Sequence, residues 1–144
     1  MIIIKLSYQV EKADFNRAGQ ASSNIKKVLR QLGIGSQILR RIAIATYEAE
    51  MNIIIHSEGG IIDVDIDAEK VIIRVEDRGP GIENILLAMK AGYSTASDKI
   101  RELGFGAGMG LPNIKRCADE FNIESSIGEY TRLEIVIYNT PLEK

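Results

Sequence analysis

Residues 61–76, IIDVDIDAEKVIIRVE, constrain the fold more than any other stretch of the chain. Over 61–67 apolar and acidic side chains alternate, which is the period of a strand buried on one face. Ala68-Glu69 has the length of a tight hairpin turn, and 70–76 reads as the returning strand. A hairpin alone is only marginally stable, so this one needs further strands and a cover for its apolar face. Cover is available upstream. A helix opening at Ala13 or Asp14 and running to about Leu32 repeats apolar residues at Ile25, Val28, Leu29 and Leu32. Gly33-Ile34-Gly35 ends it. Ser36 reads as the N-cap of a second helix reaching about His56, with Ile38, Leu39, Ile42, Ala45, Ala49 and Ile53 as its buried stripe. An Ile-rich first strand covers 2–9. Beyond the hairpin come a sharp turn at Asp77-Arg78-Gly79-Pro80-Gly81, a short helix over 83–90, a glycine-rich loop over 91–110, a helix over 111–121, and strands over 122–127 and 131–138. The expected architecture is an α/β two-layer sandwich, a mixed and mostly antiparallel sheet with helices on one face. A length of 144 residues fits one domain, 1–144, able to bury a core without disulfides.

Composition excludes several classes of function. A net charge of -2 offers no basic footprint, so no nucleic-acid partner is expected. The single cysteine, Cys117, can form neither an internal disulfide nor a cysteine-rich metal site and reads as a small apolar residue on a helix. No apolar run has the length of a membrane span, and Lys5 and Ser7 follow the opening Met1-Ile2-Ile3-Ile4 too closely for a signal peptide. The expected location is cytoplasmic, with no membrane partner.

Three groups of residues can carry chemistry. Glu48 and Asn52 are four apart on the second helix and point the same way. Asn is a poor helix former, yet Asn52 interrupts the apolar run Met51-Asn52-Ile53-Ile54-Ile55. Its amide oxygen suits magnesium, and Glu48 one turn earlier suits a general base; an exposed Glu and a core-satisfying Asn explain the same spacing. Asp77, entering the turn with Gly79 and Gly81, can accept a hydrogen bond from an exocyclic amine such as adenine's, with the glycines allowing the backbone close to a flat ring; a plain turn has the same composition. The third group is Gly104-Phe105-Gly106-Ala107-Gly108-Met109-Gly110, which feeds into a helix with Pro112 near its first position. Free backbone N–H groups and a helix start converge there, as a phosphate site requires. Lys115 and Arg116 close behind that helix start favour a bound anion. The lone histidine, His56, reads as a helix-end packing or capping residue.

Taken in order, Glu48-x-x-x-Asn52, Asp77-x-Gly79-x-Gly81 and Gly106-x-Gly108-x-Gly110-Leu111 resemble the N, G1 and G2 boxes of the GHKL ATPases. The resemblance runs from about residue 36 to 138. The runs Glu76 to Ile82, Gly92 to Thr95 and Gly106 to Pro112 are similar to the RsbT-type switch kinases, whose relatives are the RsbW and SpoIIAB-type anti-sigma factors. Two positions depart from the pattern. Tyr130 stands where the family has Gly before its late threonine, here Thr131. Phe105 to Ala107 stand where the anti-sigma subgroup has an Arg, the nearest basic residue being Arg101, and this favours the switch-kinase branch. The loop also holds an extra segment, Asp98 to Leu103.

The resemblance implies a Bergerat ATP-binding fold that takes ATP and Mg²⁺. It implies Asn52 as magnesium ligand, Glu48 as catalytic base toward a protein serine or threonine, and Asp77 as reader of the adenine amino group. Gly79, Gly81, Gly104, Gly106, Gly108, Met109, Gly110, Leu111 and Thr131 complete the nucleotide pocket, with 92–110 as its lid. The implied activity is a serine/threonine protein kinase in a partner-switching pathway, with a STAS-domain antagonist protein as substrate and a sigma factor or other regulator as a further partner. A non-catalytic, ATP-gated anti-sigma or regulator-binding module is the alternative, and monomer or homodimer stays open. A histidine-kinase catalytic domain would need a phospho-accepting helix pair, for which the chain has no room.

Overall fold

The computed structural model describes residues 4–82, 84–90 and 110–139. Strand β1 is Ile4–Val10, helix α1 Gln20–Gln31 and helix α2 Ser36–His56. The hairpin follows as β2 Gly60–Ile66 and β3 Lys70–Arg78, then the single-turn helix α3 Ile85–Ala88. Helix α4 is Gly110–Cys117, and a second hairpin, β4 Glu120–Ser126 and β5 Tyr130–Tyr138, completes the order. The five strands run β1-β2-β3-β5-β4. All four pairings are antiparallel, so the mixed sheet expected from sequence is wholly antiparallel among the described strands.

Register explains the layering. The pairs Tyr8↔Ile62, Ile62↔Val75, Val75↔Leu133 and Leu133↔Ile123 make one apolar row across the sheet. Leu6, Val64, Ile73, Ile135 and Phe121 make the next row. Side chains two residues apart share a face, so these rows form one continuous apolar surface. Ile42, Ala45, Ala49 and Ile53 of α2, Ile25 and Leu29 of α1, and Ile114 of α4 bury against it with no residual exposure. The opposite face carries cross-strand charge. Arg74 bridges Asp65 and Glu134, and Arg132 bridges Glu76 and Glu124 while lying over the Tyr130 ring. These exposed pairs keep one face wet and each contributes little to stability.

Local chemistry moves several boundaries from their expected places. The first helix does not open at residue 13 or 14. A 3₁₀ turn occupies Phe15–Arg17, and Gly19, at φ 91, redirects the chain before α1 starts. Ser36 is the first residue of α2, and Gly35 is its N-cap, accepting from the Leu39 N–H through its carbonyl. Asp77 and Arg78 belong to β3 rather than to the turn. The turn at Ala68-Glu69 forms as expected, held by Asp67, whose Oδ1 accepts from the N–H groups of Glu69 and Lys70. Those two bonds hold the Asp67 carboxyl below its ordinary range.

Glu50, which the sequence reading passed over, ties the helical layer together. It is 2% exposed, and its two carboxylate oxygens accept from the N–H groups of Gly19, Ala21 and Ser22. A helix start leaves N–H groups without intrahelical partners, and a carboxylate there is also favoured by the helix dipole. α2 therefore caps α1 from the side. Glu50→Ala strands three donors and is expected to cost about 2–4 kcal/mol. Glu50→Gln, which keeps one acceptor, should cost less. Urea midpoints of the three proteins check both.

Candidate functional site

The apolar rows of the sheet end in a polar one. One step beyond Ile62, Val75, Leu133 and Ile123 on the same face stand Gly60, Asp77, Thr131 and Ser125, paired in register. Asp77 sits half-buried on a face that is otherwise mostly apolar. Its Oδ1 accepts from the Thr131 N–H at 3.2 Å. Gly60 opposite packs closely against it, since a Cβ there would fall 2.5 Å from the Glu76 carbonyl oxygen and 3.1 Å from the Asp77 Cβ. Burial pushes the Asp77 carboxyl from its ordinary 3.8 up to about 6, against the bond from Thr131, and the neighbouring Glu76 charge adds to the rise.

Ser125 was not singled out from sequence. Its hydroxyl accepts from the Ile82 N–H at 2.7 Å, donates to the Tyr130 carbonyl at 3.0 Å and lies 3.1 Å from the Thr131 hydroxyl. It pins the loop after β3 to the β4–β5 hairpin. A polar residue at an inward position of β4 was the available signal. The loop itself is fitted to its own protein. A Cβ on Gly81, at φ 71, would meet the Ser126 carbonyl oxygen at 2.5 Å, and one on Gly79 would meet the Ser57 Cα at 3.1 Å. Close approach to the chain's own backbone is enough to require glycine at 81 and to favour it at 79.

The other half of the site lies where α2 meets α4. Asn52 faces the first turn of α4, and a Cβ on Gly110 would come within 2.8 Å of its Oδ1. Glu48, one turn earlier, accepts at Oε2 from Asn113 Nδ2 at 2.8 Å. Asn113 Oδ1 in turn accepts from Arg116 at 3.2 Å. Asn113 is a second residue that sequence reasoning did not mark. Leu111 packs against the core beside Ile114. Gly104, Gly106, Gly108 and Met109, with the rest of the lid, lie outside the described residues. Lys115 and Arg116 do not mark a bound anion. α4 ends at Cys117, so both fall in its last turn, where the helix dipole favours cations without any bound anion. Arg41 also secures α4, donating to the Cys117 carbonyl and pairing with Asp119 at 3.0 Å. Burial raises the Cys117 thiol above its ordinary value, which suits a packed residue. His56 closes α2, and burial holds its imidazole below the ordinary value.

Residues 36–141 match the family model of the histidine kinase-, DNA gyrase B-, and HSP90-like ATPases. The chain belongs to that family. The GHKL resemblance therefore holds, and so does the α/β ATP-binding fold. Serine/threonine-protein kinase RsbT of Bacillus subtilis (strain 168) is 34% identical over 115 residues, 77% of this chain and 80% of its own. The anti-sigma F factor of Thermoanaerobacter sp. (strain X514) is 35% identical over 102 residues, 67% of this chain and 68% of its own. A chain in the crystal structure of the SiaB-SiaC complex from Pseudomonas aeruginosa shares the fold with a TM-score of 0.59 at 12% identity, over 92% of this chain and 88% of that one. Within the matched span, Asp77 with Thr131 lies on the sheet and Glu48 with Asn52 on α2.

Asp77 gives this site a pH signature. Its folded pKa lies above the unfolded one, so the folded state binds more protons between about pH 4 and pH 6. Stability then falls as pH rises through that window. Asp77→Asn keeps an oxygen for the Thr131 N–H and removes the buried charge. Above pH 6 the variant should be more stable by about 1 kcal/mol, once screening of this partly exposed group is allowed for. Its unfolding free energy should also lose the slope between pH 4 and 6. Denaturant titrations at stepped pH check this.

Proposed function

We propose that this chain is a Mg²⁺- and ATP-dependent serine/threonine protein kinase that phosphorylates a small STAS-type regulatory protein in a partner-switching pathway. The observation that carries the reading is the placement of Glu48 and Asn52 against the first turn of α4, where the glycine-rich segment ends. The kinase relative, matched over four-fifths of its length, supports the activity, and the anti-sigma relatives support a regulatory partner. The STAS class of substrate rests on the resemblance to RsbT-type kinases.

In this reading adenine donates its amino N–H to the ionised Asp77, with Thr131 and Ser125 beside it. The phosphates lie at the start of α4, where Gly110 presents backbone without a side chain. The residues fit a magnesium ion of the kind that takes one or two protein oxygens and the rest from phosphate and water. Among the described residues Asn52 makes no side-chain hydrogen bond, and its Oδ1 faces Gly110. Among the described residues no cluster of three or more His, Cys, Asp or Glu is arranged to hold a metal by itself. The bound cation would neutralise phosphate charge. Glu48 accepts the proton as the partner's hydroxyl oxygen bonds to the γ-phosphorus and the bond to ADP breaks. No helix among the described residues is long and apolar enough to cross a membrane.

The test is transfer of label from Mg-ATP to STAS-domain proteins encoded nearby. Glu48→Ala should lower transfer by about 10²–10⁴-fold with ATP still bound, as loss of a general base does. Asn52→Ala should weaken Mg-ATP binding itself, read by calorimetry. ATP-dependent partner binding without transfer would replace the kinase with a non-catalytic binding module, and unchanged affinity in Asn52→Ala would remove the magnesium assignment.

A further inference from the structure

We infer that Asn113 is a positioning residue that orients the Glu48 carboxylate for phosphoryl transfer, with Arg116 setting which end of the Asn113 amide does so. The inference rests on Glu48 being the general base. An Asn side chain has a donor end and an acceptor end, and the two are not interchangeable. Arg116 carries donors only, so the atom of Asn113 that meets it at 3.2 Å must be the oxygen. The NH₂ group is thereby turned toward Glu48 Oε2 at 2.8 Å. One carboxylate oxygen is held, and among the described residues the other has no hydrogen-bond partner and can take the incoming proton. This is the arrangement of activated nucleophile sites, in which a third group orients the base.

The geometry also links the base to the phosphate end. Glu48 and Asn52 are one turn apart on α2 and face the same way. Opposite them, Asn113 and Gly110 are one turn apart on α4, Asn113 bonded to Glu48 and Gly110 against Asn52. A single turn of α4 therefore touches both residues. The turn that would receive the phosphates also holds the base that must act on them. A purely structural reading makes Asn113 a tie between two helices, and the two readings predict different kinetics.

The experiment uses the full chain and radiolabelled Mg-ATP in single turnover, with water as the phosphoryl acceptor. Water oxygen bonds to the γ-phosphorus, the bond to ADP breaks, and Glu48 takes the proton. Asn113→Ala should slow turnover about 10-fold, the scale on which groups supporting a reactive residue act, with ATP affinity unchanged. Asn113→Asp, which sets one carboxylate against another, should slow it about 100-fold. In a Glu48→Ala background Asn113→Ala should add nothing, because the group it orients is gone. Arg116→Ala, an exposed change that leaves the core intact, should slow turnover about threefold, again only when Glu48 is present. Equal slowing by Asn113→Ala in both backgrounds, or a loss of ATP affinity with the rate intact, would overturn the inference. Unchanged turnover in Glu48→Ala alone would instead remove the base assignment on which it rests.

Discussion

Burial of the α2 stripe against the apolar rows of the sheet is the contact on which the rest depends. Ile42, Ala45, Ala49 and Ile53 are spaced to present one face, and the sheet rows are spaced to receive it. Once that face is fixed, the remaining faces of α2 are fixed with it. Glu50 meets the start of α1 on one side, and Glu48 and Asn52 meet the start of α4 on the other. Packing energy thereby positions polar groups that could not hold their own places.

The sheet follows the same logic. Its inward rows are apolar until the last, where Asp77, Thr131 and Ser125 take the place of Val and Ile. That row is polar on the side where a hydrocarbon surface would be expected. It costs stability, visible in the raised pKa of Asp77, and such costs concentrate at sites under functional demand. Family membership gives the demand a chemical identity, since ATP has both a flat base and a charged tail. In the proposed reading the half-buried Asp77 carboxylate receives the base. In the same reading the helix start faced by the Asn52 amide and the Glu48 carboxylate receives the tail.

Much of this was legible in the chain. The strand period of 61–76 and the helix period of 36–56 pointed to the two layers, and the boxes around Glu48, Asp77 and Gly110 pointed to the family. The errors lie where a local signal had a second possible cause. Ser36 is a good N-cap type, but the chain reaches its helical conformation one residue sooner. Lys115 and Arg116 resembled an anion signal only while the helix was taken to run to residue 121; its end at Cys117 makes them ordinary last-turn cations. Gly79 and Gly81 likewise have a second cause beside a ligand, since Ser57 and Ser126 approach them closely. Glu50, Asn113 and Ser125 escaped because each acts on a residue distant in sequence. Glu50 reaches back about thirty positions and Asn113 about sixty-five. Spacing along one helix or strand carries no trace of such partners.

The central claim is that the Asp77 end and the Asn52 end hold one nucleotide. Titrating the isotopically labelled chain with Mg²⁺ and a non-hydrolysable ATP analogue tests it directly by NMR. The Thr131 backbone amide reports the Asp77 end, and the Asn52 side-chain amide reports the other. The account predicts that both signals move along one binding curve and saturate together at one equivalent. Movement at only one end, or two curves with different midpoints, would contradict it.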